Sequence, residues 1–539
     1  MENQVFLKNK AHIKYILVIT KMNNILKDFS SNFSSSIVVL LVAIPLCLGI
    51  ALASGAPLFA GIIAGVVGGI VVGSLSGSSL SVSGPAAGLT VIVSLGIINL
   101  VSYETFLLAV VLAGVFQLIL GYLKAGALGD YVPNSVIKGM LAAIGVILIL
   151  KQIPHLVGFD ADFEGDESFW QADSENTFSE ILKAFNYFNF GAVLIGFISL
   201  GILILWETKF FKSKGFLKQI PSPLIVVFVG VLINEWLLGS GSALALQSEH
   251  LVTLPIATNI NQFLSFFTFP QFTQITNPQV WIVALTLAIV ASLETLLSVE
   301  AIDKLDPLNR VTPTNRELKA QGVGNIVSGM LGGLPVTSVI VRSSANLNAG
   351  AKSKLSAILH GIFMLVCVTL IPWLLNKIPL SALAAILVFT GYKLAKITLF
   401  KEFWQKGYDQ FVPFVVTILA ILFTDLLEGI LIGIGVGLFF MIRSNFKSSV
   451  FIINDGNQYL MRLRKDVSFL NKSTIRRSLE RIPENTFLLI DATQADFVDQ
   501  DVVDTINEFT HHAHLKNIKV ELKKNSGNKM HAYFTENIS

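Results

Sequence analysis

Charge is the first thing this chain lacks. Asp, Glu, Lys and Arg make up 14% of its 539 residues, against about 25% in an average soluble domain. Together with 53% apolar residues and a mean hydropathy of +0.67, that shortage excludes a soluble globular fold, which could not hide so much apolar surface. Cysteine is scarcer still. Cys47 and Cys367 lie far apart in apolar runs, so they imply neither a disulfide framework nor a metal site. No phosphate-cradling glycine motif, nucleophile elbow or metal-ligand spacing occurs, which argues against an enzyme. Without ATPase signatures, the energy for any transport comes from an ion gradient or from the cargo's own. The cluster His511, His512 and His514 reads as a solvated helix face, because further ligand-type residues at a recognised spacing are missing. No cofactor and no nucleic-acid partner are expected.

What is present is a series of long apolar blocks separated by short charged connections. With about 20 residues needed to cross a bilayer, candidate spans fall near 36–54, 57–75, 84–100, 103–122, 134–157, 190–207 and 222–239. A second set falls near 279–302, 318–332, 336–350, 354–376, 379–399, 408–425 and 428–446. The third span of each set is short, rich in small or polar residues at its start, and opens on a proline: SLSVSGPAAGLTVIV around Gly84 and Pro85, and GGLPVTSVIVRSSAN around Pro335. Two halves that each carry a broken helix at the same place read as a repeat.

Lys and Arg collect on the cytoplasmic side of spans. Connections after even-numbered spans are basic, as at Lys209, Lys212, Lys214 and Lys218, or at Lys393, Lys396, Lys401 and Lys406. Those after odd-numbered spans are poor in both residues, and the segment after the fifth span is acidic. An even number of spans with both termini cytoplasmic fits that bias. Residues 1–27 read as a cytoplasmic leader without a cleavage signal, with Met22 as an alternative start. Residues 28–447 form the membrane domain. Residues 448–539 switch to alternating strand and helix patterns and read as a compact cytoplasmic α/β domain.

The chemistry belongs where the spans break. A helix that starts inside the bilayer aims unpaired N–H groups and the positive end of its dipole into the cavity it faces, which makes an anion site. Small residues, Ala86 and Ala87 after Pro85 and Val336, Thr337 and Ser338 after Pro335, let an anion approach, and the two hydroxyls can donate. Arg342, two turns into the second broken helix, attracts anions. Glu294, in the first span of the second half, sits deep enough to need a partner: Arg342, a coupling cation or a proton. Ser298 shares its face one turn later.

Three segments in order, IPLCLGIALASGAPLFAGIIAGVVGG with SVSGPAAGL, SLETLLSVEAID, and GGLPVTSVIVRSSANLNAGAKS, resemble the SulP family of inorganic-anion transporters. FLLIDATQADFVDQDVVDTI resembles the STAS domain attached to those proteins. The resemblance implies an α-helical polytopic membrane protein with fourteen membrane segments in two inverted seven-segment repeats, a core domain that moves against a gate domain, and a small cytoplasmic α/β STAS-like domain. It places a small inorganic anion at Ala86, Ala87, Thr337, Ser338 and Val339, with Arg342 behind them, and a coupling sodium ion or proton at Glu294 and Ser298. It also implies a homodimer in a bacterial-type inner membrane. Bicarbonate and sulfate are the leading cargoes. An uncoupled channel or exchanger, a membrane-anchored signalling protein acting through its STAS-like domain, and a nucleobase permease are the alternatives. The chain departs from the family where Leu46 follows Pro45 in place of a glutamine, where Ile50 and Ala86 replace aromatic contacts, and where Val498-Asp499-Gln500-Asp501 replaces a phosphorylated serine.

Overall fold

The computed structural model describes residues 2–160, 169, 176–208, 211, 221–257, 259–447, 449–524 and 533–534. Contacts divide the chain into two compact units, residues 1–405 with 414–434, and residues 406–413 with 435–539.

The first unit is helical. Its elements begin with α1 (Glu2–Ala53), α2 (Leu58–Val67), strand β1 (Ser83–Pro85), α3 (Thr90–Leu100), α4 (Tyr103–Tyr122), α5 (Asn134–Val157), α6 (Phe190–Trp206) and α7 (Ser222–Gly239). The second half repeats this order with α8 (Pro278–Asp303), α9 (Thr314–Leu331), strand β2 (Val336–Ser338), α10 (Ile340–Asn348), α11 (Leu355–Leu370), α12 (Leu380–Leu394), α13 (Tyr408–Phe423) and α14 (Leu426–Lys447). Helices α13 and α14 contribute residues to both units. Each of the fourteen expected segments is thus occupied by a helix, or by a strand and a helix. Among the described residues, eight helices are long and apolar enough to cross a membrane. Helix α9 is not one of them, because it buries Glu317, Gln321, Asn325 and Ser328 inside the protein.

The two proline breaks meet. Strands β1 and β2 pair antiparallel, with Ser83 opposite Ser338, Gly84 opposite Thr337 and Pro85 opposite Val336. A lipid interior offers no water to an unwound backbone, so the exposed N–H and C=O groups must find protein partners. The ribbon supplies some of them, and side chains supply others. Asn325 of α9 clasps Val336, accepting from its N–H at 2.6 Å and donating to its carbonyl at 2.9 Å. Ser343 Oγ accepts from Val82 N–H at 2.9 Å.

On its far side β1 is pressed by a π-helical turn, Gly68–Val72, that continues α2. A Cβ on Gly68 would lie 2.2 Å from Ser83 O, so only glycine permits this approach.

The second unit contains a four-stranded sheet of β3 (Val450–Asp455), β4 (Gln458–Val467), β5 (Phe487–Val498) and β6 (Lys519–Lys523), in that order. Strands β3 and β4 form an antiparallel hairpin, while β4–β5 and β5–β6 are parallel. The parallel crossovers carry α15 (Lys472–Glu480) and α16 (Gln500–His512). Met461, Ile490, Val502 and Ile506 lie in its apolar core. Asp499 caps α16, its carboxylate accepting from Asp501 N–H at 3.0 Å. His512 and His514 each direct Nδ1 to a backbone carbonyl, of Glu508 and His511 respectively.

Candidate anion site

After each strand the chain turns into a helix. Ala86 and Val339, the hinges of the two breaks, take the same extended conformation (φ −117°, ψ 137° and φ −114°, ψ 122°). Ala86 leads through a 3-10 turn, Ala87–Leu89, into α3, and Val339 leads directly into α10. A cavity of about 20 Å³ opens between these starts, lined by Ala87, Glu294, Ser298, Val339 and Arg342 together with Leu46 and Ile50 of α1. Five of the residues singled out in the sequence therefore line one cavity. Leu46 and Ile50, where the chain departs from the family it resembles, line it too. A space of this size holds about one water-sized sphere.

Thr337 and Ser338 stand elsewhere. Both are fully buried in β2. Thr337 Oγ1 donates to the Ser338 carbonyl at 3.4 Å, and Ser338 Oγ shares a 2.5 Å hydrogen bond with Ser81 Oγ. Val339 N–H is also engaged, donating to the Val82 carbonyl at 3.0 Å. The donors without intrahelical acceptors in the second half lie further on, in the first turn of α10 at Ile340, Val341 and Arg342, and these three residues line the cavity.

Arg342 is completely buried. Its Nη2 donates to the Pro85 carbonyl at 3.3 Å, while Nε and Nη1 have no hydrogen-bond partner among the described residues. The guanidinium lies flush against Gly84, where a Cβ would fall 1.9 Å from Nη1. A buried cation with two unsatisfied donors at a cavity wall favours an anion there.

Glu294 approaches from α8. Its carboxylate lies over Gly88, where a Cβ would meet Oε1 at 3.2 Å. The cavity therefore combines two helix starts and a guanidinium, which favour negative charge, with a carboxylate set against one of those starts.

Sequence reading missed the layer behind this wall. Glu317, Gln321 and Asn325 repeat every four residues on one face of α9. Gln321 Nε2 donates to Ser83 Oγ at 2.7 Å and to Glu317 Oε1 at 3.2 Å, and Glu317 Oε2 accepts from Ser76 Oγ at 2.5 Å. Asn325 Nδ2 also donates to Gln117 Oε1 of α4 at 2.7 Å. The signal was this polar i, i+4, i+8 stripe in a span of low hydropathy.

A second polar cluster ties the ends of α5, α6 and the connection after α7. Asp160 accepts from His155 Nδ1 at 2.7 Å and from His250 Nδ1 at 2.6 Å. Asn189, the N-cap of α6, directs its amide to His250 Nε2 at 3.2 Å. Burial alone would raise the Asp160 carboxyl, but the two histidine hydrogen bonds outweigh it and hold the group below the usual range. The Asp160 hydrogen bond raises His250 above the usual imidazole value.

Comparison with known proteins agrees with this architecture. YvdB of Bacillus subtilis (strain 168) is 28% identical over 68% of this chain and 64% of its own length. A protein of Synechocystis sp. named bicarbonate transporter BicA is 24% identical over 66% of this chain and 59% of its own. The chain thus spans less than two thirds of both. Among solved structures, the transmembrane domain of a cyanobacterial BicA superposes with a TM-score of 0.52 at 21% identity, covering 76% of this chain and 97% of that one. The overall structure of SLC26A9 gives 0.63 at 16% identity, covering 95% and 88%. Residues 29–417 match the sulfate permease family. By that match, which takes in both broken helices, Glu294 and Arg342, the chain belongs to the sulfate permease family.

Proposed function

We propose that this chain is a secondary transporter of a small inorganic anion, bicarbonate or sulfate, across a bacterial inner membrane. The observation that carries the reading is the meeting of two helix starts and the buried Arg342 guanidinium at one cavity that also holds Glu294. The helix starts and Arg342 attract the anion. Glu294 opposes it. Two unit charges about 4 Å apart repel by about 4 kcal/mol at an effective dielectric of 20, or about a thousandfold in affinity. An anion therefore binds well only once Glu294 is neutralised, by a proton or by a sodium ion that Ser298 helps to hold, and this links the two fluxes. Ala87 and Val339 shape the anion's seat, while Ala86, Thr337 and Ser338 support it from behind.

Ile144 of α5 and Leu426 of α14 also line the cavity, and an elevator-like displacement of the helices around β1 and β2 against α5–α7 and α12–α14 would draw them back to admit a polyatomic anion. The bias of Lys and Arg towards alternate connections supports cytoplasmic termini. The chain works as a homodimer, and the STAS-like region at 448–539 serves assembly.

A second reading rests on Arg342 alone. Its two unsatisfied donors form an anion site that does not need Glu294, which suits an uncoupled exchanger. One experiment separates the two: purified protein in liposomes is given labelled bicarbonate, sulfate or uracil under an imposed sodium or proton gradient. The coupled reading expects accumulation of an inorganic anion that Glu294→Gln abolishes. Uptake that follows only the anion's own gradient and ignores that substitution refutes coupling, and uptake of uracil refutes the cargo class.

A further inference from the structure

A cavity of about 330 Å³ lies apart from the anion site, between α1 and the end of α10 on one side and α6, α7 and α12 on the other. Its charged part is one ion pair, Lys393 Nζ to Glu207 Oε1 at 2.5 Å, with side chains 25% and 36% exposed. Its apolar part includes Val38, Trp206 and Phe389, and Lys393 stands over the Phe389 ring at 4.5 Å from the centroid. Trp206 closes α6, and Lys393 lies in the last turn of α12. Tryptophan and lysine at the ends of membrane helices mark the headgroup level of the bilayer, so the cavity sits at that depth.

We infer that this cavity is a binding site for a phospholipid with a zwitterionic phosphoethanolamine headgroup. The volume suits a headgroup and the first part of an acyl chain, and the walls are apolar where the chain would lie. The ion pair decides the class. An anionic headgroup would gain Lys393 but face Glu207. A phosphoethanolamine offers its phosphate to Lys393 and an ammonium with three N–H donors to Glu207, so both charges keep a partner when the direct pair opens. A choline headgroup has no N–H to give. The lipid also has a mechanical consequence. Helices α1 and α10 carry Leu46, Ile50 and Arg342 of the anion site, so an occupant here bridges them to α6, α7 and α12. The site does not depend on the transport reading.

The test is native mass spectrometry of the delipidated full-length chain, titrated separately with dioleoyl phosphatidylethanolamine, phosphatidylglycerol and phosphatidylcholine. The wild type is expected to retain one phosphatidylethanolamine about tenfold more tightly than either other lipid. Glu207→Gln loses the preference over phosphatidylglycerol, Glu207→Asp keeps it, and Lys393→Met weakens retention of both. Should Glu207→Gln not fold, Glu207→Ser serves as the second neutral variant. Equal retention of the three lipids by the wild type, or a preference unchanged in the neutral variants, overturns the proposal. So does acyl-free glycerophosphoethanolamine binding as tightly as the lipid, which would make this a site for a soluble phosphate ester.

Discussion

Replacing Gly68 by alanine is the sharpest probe of how the candidate site is held. The new Cβ would lie 2.2 Å from Ser83 O, 2.5 Å from Ser83 C and 2.8 Å from Gly84 N. All three are backbone atoms, and none can swing aside as a side-chain tip would. Relaxed carbon contacts need about 3.5 Å, so β1 and the π-helical turn must separate by roughly 1 Å. Strand β1 is paired through Ser83–Pro85 with β2, and its Pro85 carbonyl accepts a hydrogen bond from Arg342 Nη2 that is already 3.3 Å long. The displacement therefore breaks that bond and shifts both helix starts. Overpacking of this kind costs about 1–3 kcal/mol of stability, and a misplacement of about 1 Å at a site costs about a hundredfold in rate. Thermal unfolding and initial uptake in proteoliposomes measure the two effects. Gly201→Ala in α6 is the control, since a Cβ there meets nothing within 4 Å, and it should stay within about 0.5 kcal/mol of the wild type. Transport by Gly68→Ala at the wild-type rate would refute the argument that β1 positions the site.

Further expectations concern residues outside the cavity. Asn325→Leu removes both hydrogen bonds to Val336 and should cost about 1–3 kcal/mol for each backbone group left unpaired, read as a lower melting temperature together with lost anion binding. Asp160→Asn tests the histidine clasp. Because His250 is raised in the folded protein, its contribution is complete below its ordinary value of about 6.5 and fades as pH rises through the raised value. Asp160 is lowered, so its contribution holds above about 3.9 and fails only in stronger acid. The melting-temperature gap between wild type and Asp160→Asn should hence be widest near pH 6 and narrow towards pH 9; a gap that widens with pH sinks the clasp. Asp499→Ala removes the cap of α16 and should cost the second unit about 1 kcal/mol, seen as faster amide exchange at the start of that helix.

How far the sequence could be read depended on whether a feature was local. The helix breaks were visible because Gly84, Pro85 and Pro335 are incompatible with continuous helix wherever the chain goes next. Which donors the breaks leave open was not. That depends on the long-range pairing of Ser83–Pro85 with Val336–Ser338, which spends residues that look available in the sequence. Thr337 and Ser338 read as anion ligands by chemistry alone, yet their hydroxyls face the Ser338 carbonyl and Ser81. Glu294 and Arg342 were found because ionisable residues at membrane depth stand out against apolar neighbours. Gly68 and Gly88 did not stand out, being two glycines among 41, and only the atoms opposite them, Ser83 O and the Glu294 carboxylate, show that a Cβ is excluded at the first and crowded at the second. Helix α9 begins at Thr314, after the extended Pro313, four residues before the expected span, because its first turn is polar and only Glu317 in it is buried, which hydropathy cannot see.

The β1–β2 ribbon also sets an order of events during biosynthesis. Ser83–Pro85 reach the membrane about 250 residues ahead of their partners at Val336–Ser338. Until the second half arrives, the unwound stretch has no strand to pair with, and an unpaired backbone in hydrocarbon costs several kcal/mol per group. The first half must therefore wait unfinished, with its broken segment held by the insertion machinery or at the water boundary. Contacts so distant in sequence form late, which makes the cavity one of the last parts of the chain to exist.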